Sequence, residues 1–436
     1  MKKKYSVKSG IKRWILLCII GVILLSFGIS PIYKYIDLII SNNYMYIIMV
    51  VFGVVITFFA LRNVLTIILT IVNQHKYEVD ISRNSVTGML NKKKVLDKGP
   101  RVVILGGGTG LSVLLRGLKN HTSNITAVVT VADDGGGSGV LRSDLGMLPP
   151  GDIRSCILAL ADTEPTMEKL IQYRFTEGNL KGQSFGNLFI AAMNGIYDNF
   201  ELAIKEMSNV LAVSGKVLPM TLEDVTLFAK LENGKIVKGE SNIPLINGKV
   251  NSKIDSVFLK PEETFPLDET IEEIKRADII LLGPGSLYTS VIPNLMVKGI
   301  VEELEKSSAD KVYITNVMTQ PGETDKFSVK DHVSAILKHS SKDIIDHVIV
   351  NNEKLPLEIF EKYSFDGSEP VLLSNEDKKF LKDNNINIIE DNLIDIKNEY
   401  IRHDAIELSR IIVELVPKYK SKILNFLISK RDISKN

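Results

Sequence analysis

The chain has 436 residues, 45% of them hydrophobic and 24% charged, enough for a large folded domain plus a membrane segment and too apolar for wholesale disorder. Lys and Arg total 53 against 52 for Asp and Glu, a net charge of +1, which excludes a surface built to coat nucleic acid. Two distant cysteines, Cys18 and Cys156, and six scattered histidines exclude a disulfide framework and a structural zinc site.

Residues 1–13 carry Lys2, Lys3, Lys4, Lys8, Lys12 and Arg13 with no acid. Residues 14–33 follow without a charge, a run that at ~1.5 Å per residue covers a hydrocarbon core of roughly 30 Å. After Lys34 and Asp37, residues 38–61 form a second uncharged run. A signal peptide also begins on basic residues, but this run is long for one, lacks a small-x-small cleavage site and is followed almost at once by another span. The pattern predicts a two-helix transmembrane hairpin within residues 1–73. Both outer flanks are basic, the second through Arg62, Lys76, Arg83 and Lys92-Lys93-Lys94, so both chain ends and the large domain are expected in the cytoplasm. No ionisable row of the kind transport needs is visible in the spans, which read as an anchor.

Residues 74–100 read as a polar, basic linker. Beyond them an α/β rhythm begins, with a strand at 101–105, helical spacing at 111–118 and a strand at 126–131, which together imply a right-handed parallel crossover. Residues 167–175 and 188–193 have helical patterns. Between about 225 and 260 the style turns β-rich, with Asn233-Gly234 and Asn247-Gly248 as two-residue turn signals. Strands at 279–282, 311–315 and 347–350, a helix at 329–338 and an amphipathic helix at 405–416 complete a domain over 101–416. Its expected fold class is α/β, a Rossmann-like doubly wound parallel sheet with a β-hairpin insertion. Residues 417–436 form a basic amphipathic tail.

Three loops carry chemistry. Gly106, Gly107, Gly108, Thr109 and Gly110 follow the first strand and open the first helix, where backbone amides meet an anion. The string is neither a strict dinucleotide fingerprint nor a Walker A loop. Asp133 and Asp134 follow the second strand, where an acid takes ribose hydroxyls, holds a divalent cation or simply caps a helix. Gly283, Gly285 and Ser286 repeat the first loop's logic after the strand at 279–282, on the same rim of the sheet. Ser184 reads as a ligand contact or as the cap of a helix starting near Gly186, and His403 as the start of the last helix.

These strings match a family. Gly106-Gly-Gly-Thr-Gly-Leu-Ser112, Val131-Ala-Asp-Asp-Gly135, Pro149-Pro-Gly-Asp-Ile-Arg154, Ser184-Phe-Gly-Asn187, Gly215-Lys-Val-Leu-Pro219, Gly283-Pro-Gly-Ser-Leu-Tyr-Thr-Ser290 and Asn316-Val-Met-Thr-Gln-Pro-Gly-Glu-Thr-Asp325 resemble the YvcK branch of the YvcK/CofD superfamily. The resemblance implies a Rossmann-like core that binds UDP-sugars such as UDP-N-acetylglucosamine, and a bacterial role in carbon metabolism, cell-wall synthesis and cell shape. It marks Asp152, Arg154, Asn187, Asn316 and Thr319 as further ligand-binding residues. The CofD branch instead transfers a phospholactyl-type group from a guanosine dinucleotide. Residues 316–325 follow the YvcK pattern and depart from that branch, while Asp134 and Asp152 are shared by both. The N-terminal spans resemble the family's membrane-tethered members.

Three functions follow. The first is a membrane-anchored cytoplasmic regulator that binds a nucleotide-sugar and has a regulatory protein partner, self-association being compatible with it. The second is a phospholactate-type transferase with Asp134 and Asp152 holding Mg²⁺. The third, a nicotinamide-dependent oxidoreductase, lacks the fingerprint and a proton relay.

Overall fold

A computed structural model describes residues 17–27, 44–74, 95–250, 252–397 and 400–417. The chain divides into two units, Met1–Lys94 and Val95–Asn436. The first contains helical residues 17–27 and the helix Tyr44–Gln74, whose side chains are described over residues 48–63. Among the described residues no helix is long and apolar enough to cross a membrane, so the expected transmembrane hairpin is not seen. The basic N-terminus, the connector after the first span, most of the 74–100 linker and the basic tail lie outside the described residues.

The second unit is built on seven strands in the order β10-β9-β8-β7-β1-β2-β3, every neighbouring pair parallel. They are β1 (Val102–Gly106), β2 (Ile125–Val129), β3 (Lys216–Pro219), β7 (Ile279–Leu282), β8 (Asp310–Ile314), β9 (His347–Asn351) and β10 (Asn387–Asp391). The central strands β1, β2 and β7 are buried at every position. A parallel sheet needs crossover helices, and helices on both faces make its strands continuous apolar runs. Val-Val-Ile-Leu of β1 and Ile-Ile-Leu-Leu of β7 therefore sit in the middle, while the edge strand β10 is partly exposed. The Rossmann-like expectation agrees with this sheet.

Between β3 and β7 lies a separate antiparallel sheet, β5-β4-β6, of β4 (Thr226–Leu231), β5 (Ile236–Lys238) and β6 (Ile254–Lys260). Asn233-Gly234 turns β4 into β5, as the sequence indicates. Asn247-Gly248 does not turn: both residues lie in the helix Asn242–Val250. There the Asn247 side chain donates to the Gly322 carbonyl at 2.8 Å, a tertiary partner that overrides the local turn preference. A hairpin of β11 (Ile394–Lys397) and β12 (Tyr400–His403) then leads into the helix Ala405–Leu415. That helix packs against the helix Gly108–Leu118 at Gly117, where an added Cβ would run into the Ala405 carbonyl and the Ser409 hydroxyl. His403 therefore ends a strand, and Asp404 caps the last helix by accepting from the Ile406 and Glu407 amides.

Candidate functional site

Chain direction along the sheet reverses between β1 and β7. From β1 the next strands run to one edge, and from β7 they run to the other. Two adjacent crossovers that leave in opposite directions open a crevice at the strands' carboxyl ends. The two glycine loops occupy that crevice. Gly108 (φ +70°) and Gly283 (φ +81°) adopt left-handed backbone that side chains rarely tolerate.

The cleft measures about 460 Å³. One wall is residues 107–110 with Pro284, Gly285 and Ser286, and the other is residues 316–321 with Tyr363, Ser368 and residues 400–403. Gly107, the N-cap of the helix Gly108–Leu118, has no side chain to cap it. A helix start leaves its first amides without intrahelical acceptors. Those of Thr109 and Gly110 have no protein acceptor among the described residues, and neither do those of Gly285 and Ser286. Four amides on two adjacent loops thus line one cleft, and a phosphate-type anion is the partner they suit.

The Gly108 amide differs. It donates to Asp152 Oδ2 at 2.6 Å. Burial pushes the Asp152 carboxyl up to about 6, with Asp133 adding to the rise and the Gly108 amide and Arg154 opposing it. On the far wall, Asn316 donates to Gln320 Oε1 at 3.2 Å, and Gln320 Nε2 donates to Ser286 Oγ at 2.7 Å. These bonds tie the β8 loop to the β7 loop across the cleft. Thr319 exchanges bonds with Glu369, receiving that amide on its hydroxyl at 2.8 Å. Among the described residues that line the cleft, Arg402 is the one charged side chain.

Of the residues singled out by sequence, the structure brings Gly107, Gly108, Thr109, Gly110, Gly285, Ser286, Asn316 and Thr319 to the cleft. Gly106 and Gly283 stand just behind, as strand end and turn; the Gly106 carbonyl accepts from Thr130 and from the buried Asn294 side chain. The rest form a second polar group. Asp133 accepts from the Gly135 amide at 2.8 Å, a local turn. Asp134 accepts from the Ser241 amide at 2.9 Å and so ties its loop to the insertion. Arg154 donates to Ser184 Oγ at 2.7 Å, and Ser184 also caps the helix Phe185–Tyr197 by accepting from the Asn187 amide. Burial lowers the Arg154 pKa, and Arg174 beside it adds to the effect. Glu240, whose carboxyl is pushed well up by burial and then by Asp133 and Asp152, completes this group. Asn187 Oδ1, Gln183 Oε1 and Glu240 Oε2 are buried there without a hydrogen-bond partner among the described residues. Among the described residues, Asp152 links the group to the cleft by a hydrogen bond, through Gly108.

Tyr363, Gln320, Ser368 and the β12 residues were not marked by sequence reasoning. The string Arg402-His-Asp404 was visible, but nothing local says that a strand places it opposite residues 107–110.

A family model described as 2-phospho-L-lactate transferase CofD matches residues 102–394, from the start of β1 to the start of β11. The chain belongs to the CofD family. Within the CofD family its relatives put it in the YvcK branch. It is 48% identical to a putative gluconeogenesis factor of Clostridium acetobutylicum, over 99% of this chain and 96% of that one. It is 50% identical to the gluconeogenesis factor of Bacillus subtilis, over 73% of this chain and 98% of that one. A solved structure of a upf0052-family protein from Bacillus halodurans superposes with a TM-score of 0.68 at 48% identity, covering 71% of this chain and 98% of that one. The Clostridium relative matches nearly the full length of this CofD-family chain, N-terminal segment included.

Proposed function

We propose that the cleft between β1 and β7 binds a nucleoside diphosphate sugar of the UDP-N-acetylglucosamine kind, and that the chain acts as a membrane-anchored cytoplasmic regulator. The observation that supports this most is the set of four amides, at Thr109, Gly110, Gly285 and Ser286, with no protein acceptor in one cleft. A diphosphate is the ligand group that two adjacent amide loops suit, and Arg402 supplies a matching cation. The uridine and sugar parts of the proposal rest on the YvcK resemblance. The gluconeogenesis-factor names of the relatives support regulation of carbon metabolism, and the uncharged N-terminal runs support tethering.

The alternative is a CofD-like transferase using a nucleoside-diphosphate-linked donor and Mg²⁺, which the family model's name favours. Asp134 and Asp152, its proposed metal holders, are engaged with different backbone amides, those of Ser241 and Gly108. Calorimetry of the full-length chain against UDP-N-acetylglucosamine, with chromatography of the ligand afterwards, separates the two. A regulator gives saturable heat and returns the ligand intact. Consumption of the ligand supports transfer, and no heat at millimolar ligand contradicts the regulator reading.

A further inference from the structure

His403 borders the cleft from β12 with its side chain nine-tenths buried. Its Nε2 lies 3.0 Å from the Thr315 carbonyl oxygen. A carbonyl oxygen only accepts, so Nε2 carries the proton and Nδ1 keeps its lone pair. Thr315 follows β8 directly, so the bond also fixes the ring to the sheet. No described residue donates to Nδ1, and Nδ1 is not among the polar atoms sealed from solvent. His403 is itself one of the residues that line the cleft. Tyr363 accepts from the Ile401 amide at 2.9 Å, which holds the adjoining wall in place two residues before His403.

The cleft therefore has amide donors on its glycine loops and, on β12, a ring nitrogen acceptor with no donor among the described residues. We infer that His403 Nδ1 accepts a hydrogen bond from an N–H or O–H group of the bound nucleotide, which makes His403 a specificity-determining residue of this cleft. The inference rests on the nucleotide reading above. A consequence follows. A ligand that offers a lone pair at that point leaves two acceptors facing each other and is rejected. Burial holds the His403 pKa down to about 4, so the acceptor stays available throughout the neutral range.

With six histidines in the chain, ¹⁵N-histidine labelling of the full-length protein gives a resolvable spectrum. In the ligand-free protein, His403 is expected as the neutral Nε2–H form with no titration between pH 5.5 and 8. On saturation with UDP-N-acetylglucosamine, its Nδ1 resonance is expected to move in the direction of an accepted hydrogen bond. His403→Phe keeps the ring shape without the acceptor and should weaken binding about tenfold or more. His403→Asn keeps an acceptor near Nδ1 and should recover part of that loss. An Nδ1–H tautomer or a titration near pH 6.5 overturns the inference whatever the ligand. Ligand heat with an unmoved Nδ1 resonance overturns the inference and leaves the nucleotide reading standing. No heat at all removes both.

Discussion

Asp152 holds a carboxylate at a helix start in a place where desolvation disfavours its charge. Its pKa is raised from an ordinary 3.8 to about 6, so the folded state binds this proton more tightly than the unfolded state does. The associated stability is fully present below about pH 4 and is lost as pH rises through about 6, a change of about 3 kcal/mol. Asp152→Asn removes the charge but keeps an oxygen for the Gly108 amide. Chemical denaturation at a series of pH values should show the variant without this slope and more stable than wild type above pH 7; an unchanged slope would show that burial is not what shifts the group. Gly285 makes the second residue test. A Cβ there would stand 3.1 Å from the Gly107 carbonyl oxygen and 3.2 Å from Ser290 Cβ, crowding the strip between the two loops. Gly285→Ala should lower affinity for a diphosphate sugar by about tenfold and for the bare nucleoside much less, since only the diphosphate needs the amides. Equal losses for both ligands would point to general loosening, which thermal unfolding without ligand would reveal. Both loops were legible in the sequence because a buried strand followed by glycines and a helix is a local pattern. Asp152 and Gly108 were both marked, but their bond was not, because it joins positions 44 apart.

Packing of the helix Gly108–Leu118 against the helix Ala405–Leu415 sets the cleft's width, since β12 runs straight into the second of them. The two approach at Gly117, where no side chain fits. Gly117→Ala must push the helices apart, at a cost of about 1–3 kcal/mol. Thermal unfolding should fall accordingly, and ligand affinity with it, because Arg402 and His403 move away from the glycine loops. Unchanged stability would mean that the C-terminal helix is not firmly seated there. The central strands were readable because burial on both faces makes them uninterrupted apolar runs. β11, β12 and the partly exposed β10 carry polar residues in short stretches, so periodicity did not mark them, and the part of the cleft lined by residues 400–403 went unread with β12. The Asn247-Gly248 dipeptide misled for the opposite reason: its local signal is strong, but the Gly322 carbonyl gives Asn247 a better partner within a helix.

For the whole molecule, tethering and ligand choice are linked, since a cytoplasmic nucleotide-sugar reaches the cleft only if the domain lies inside. Reporters active only outside the membrane should work when fused at Asn42 and fail at Met1 and Asn436. Activity at the carboxyl terminus would contradict both the charge-based orientation and the proposed ligand. The most direct measurement is a structure of the full-length chain in complex with UDP-N-acetylglucosamine. Diphosphate oxygens are expected within hydrogen-bond distance of the Thr109, Gly110, Gly285 and Ser286 amides, with Arg402 beside them and Asp152 still on Gly108. A diphosphate seated instead among Asp133, Arg154, Ser184 and Asn187, with the four amides unengaged, would contradict this expectation.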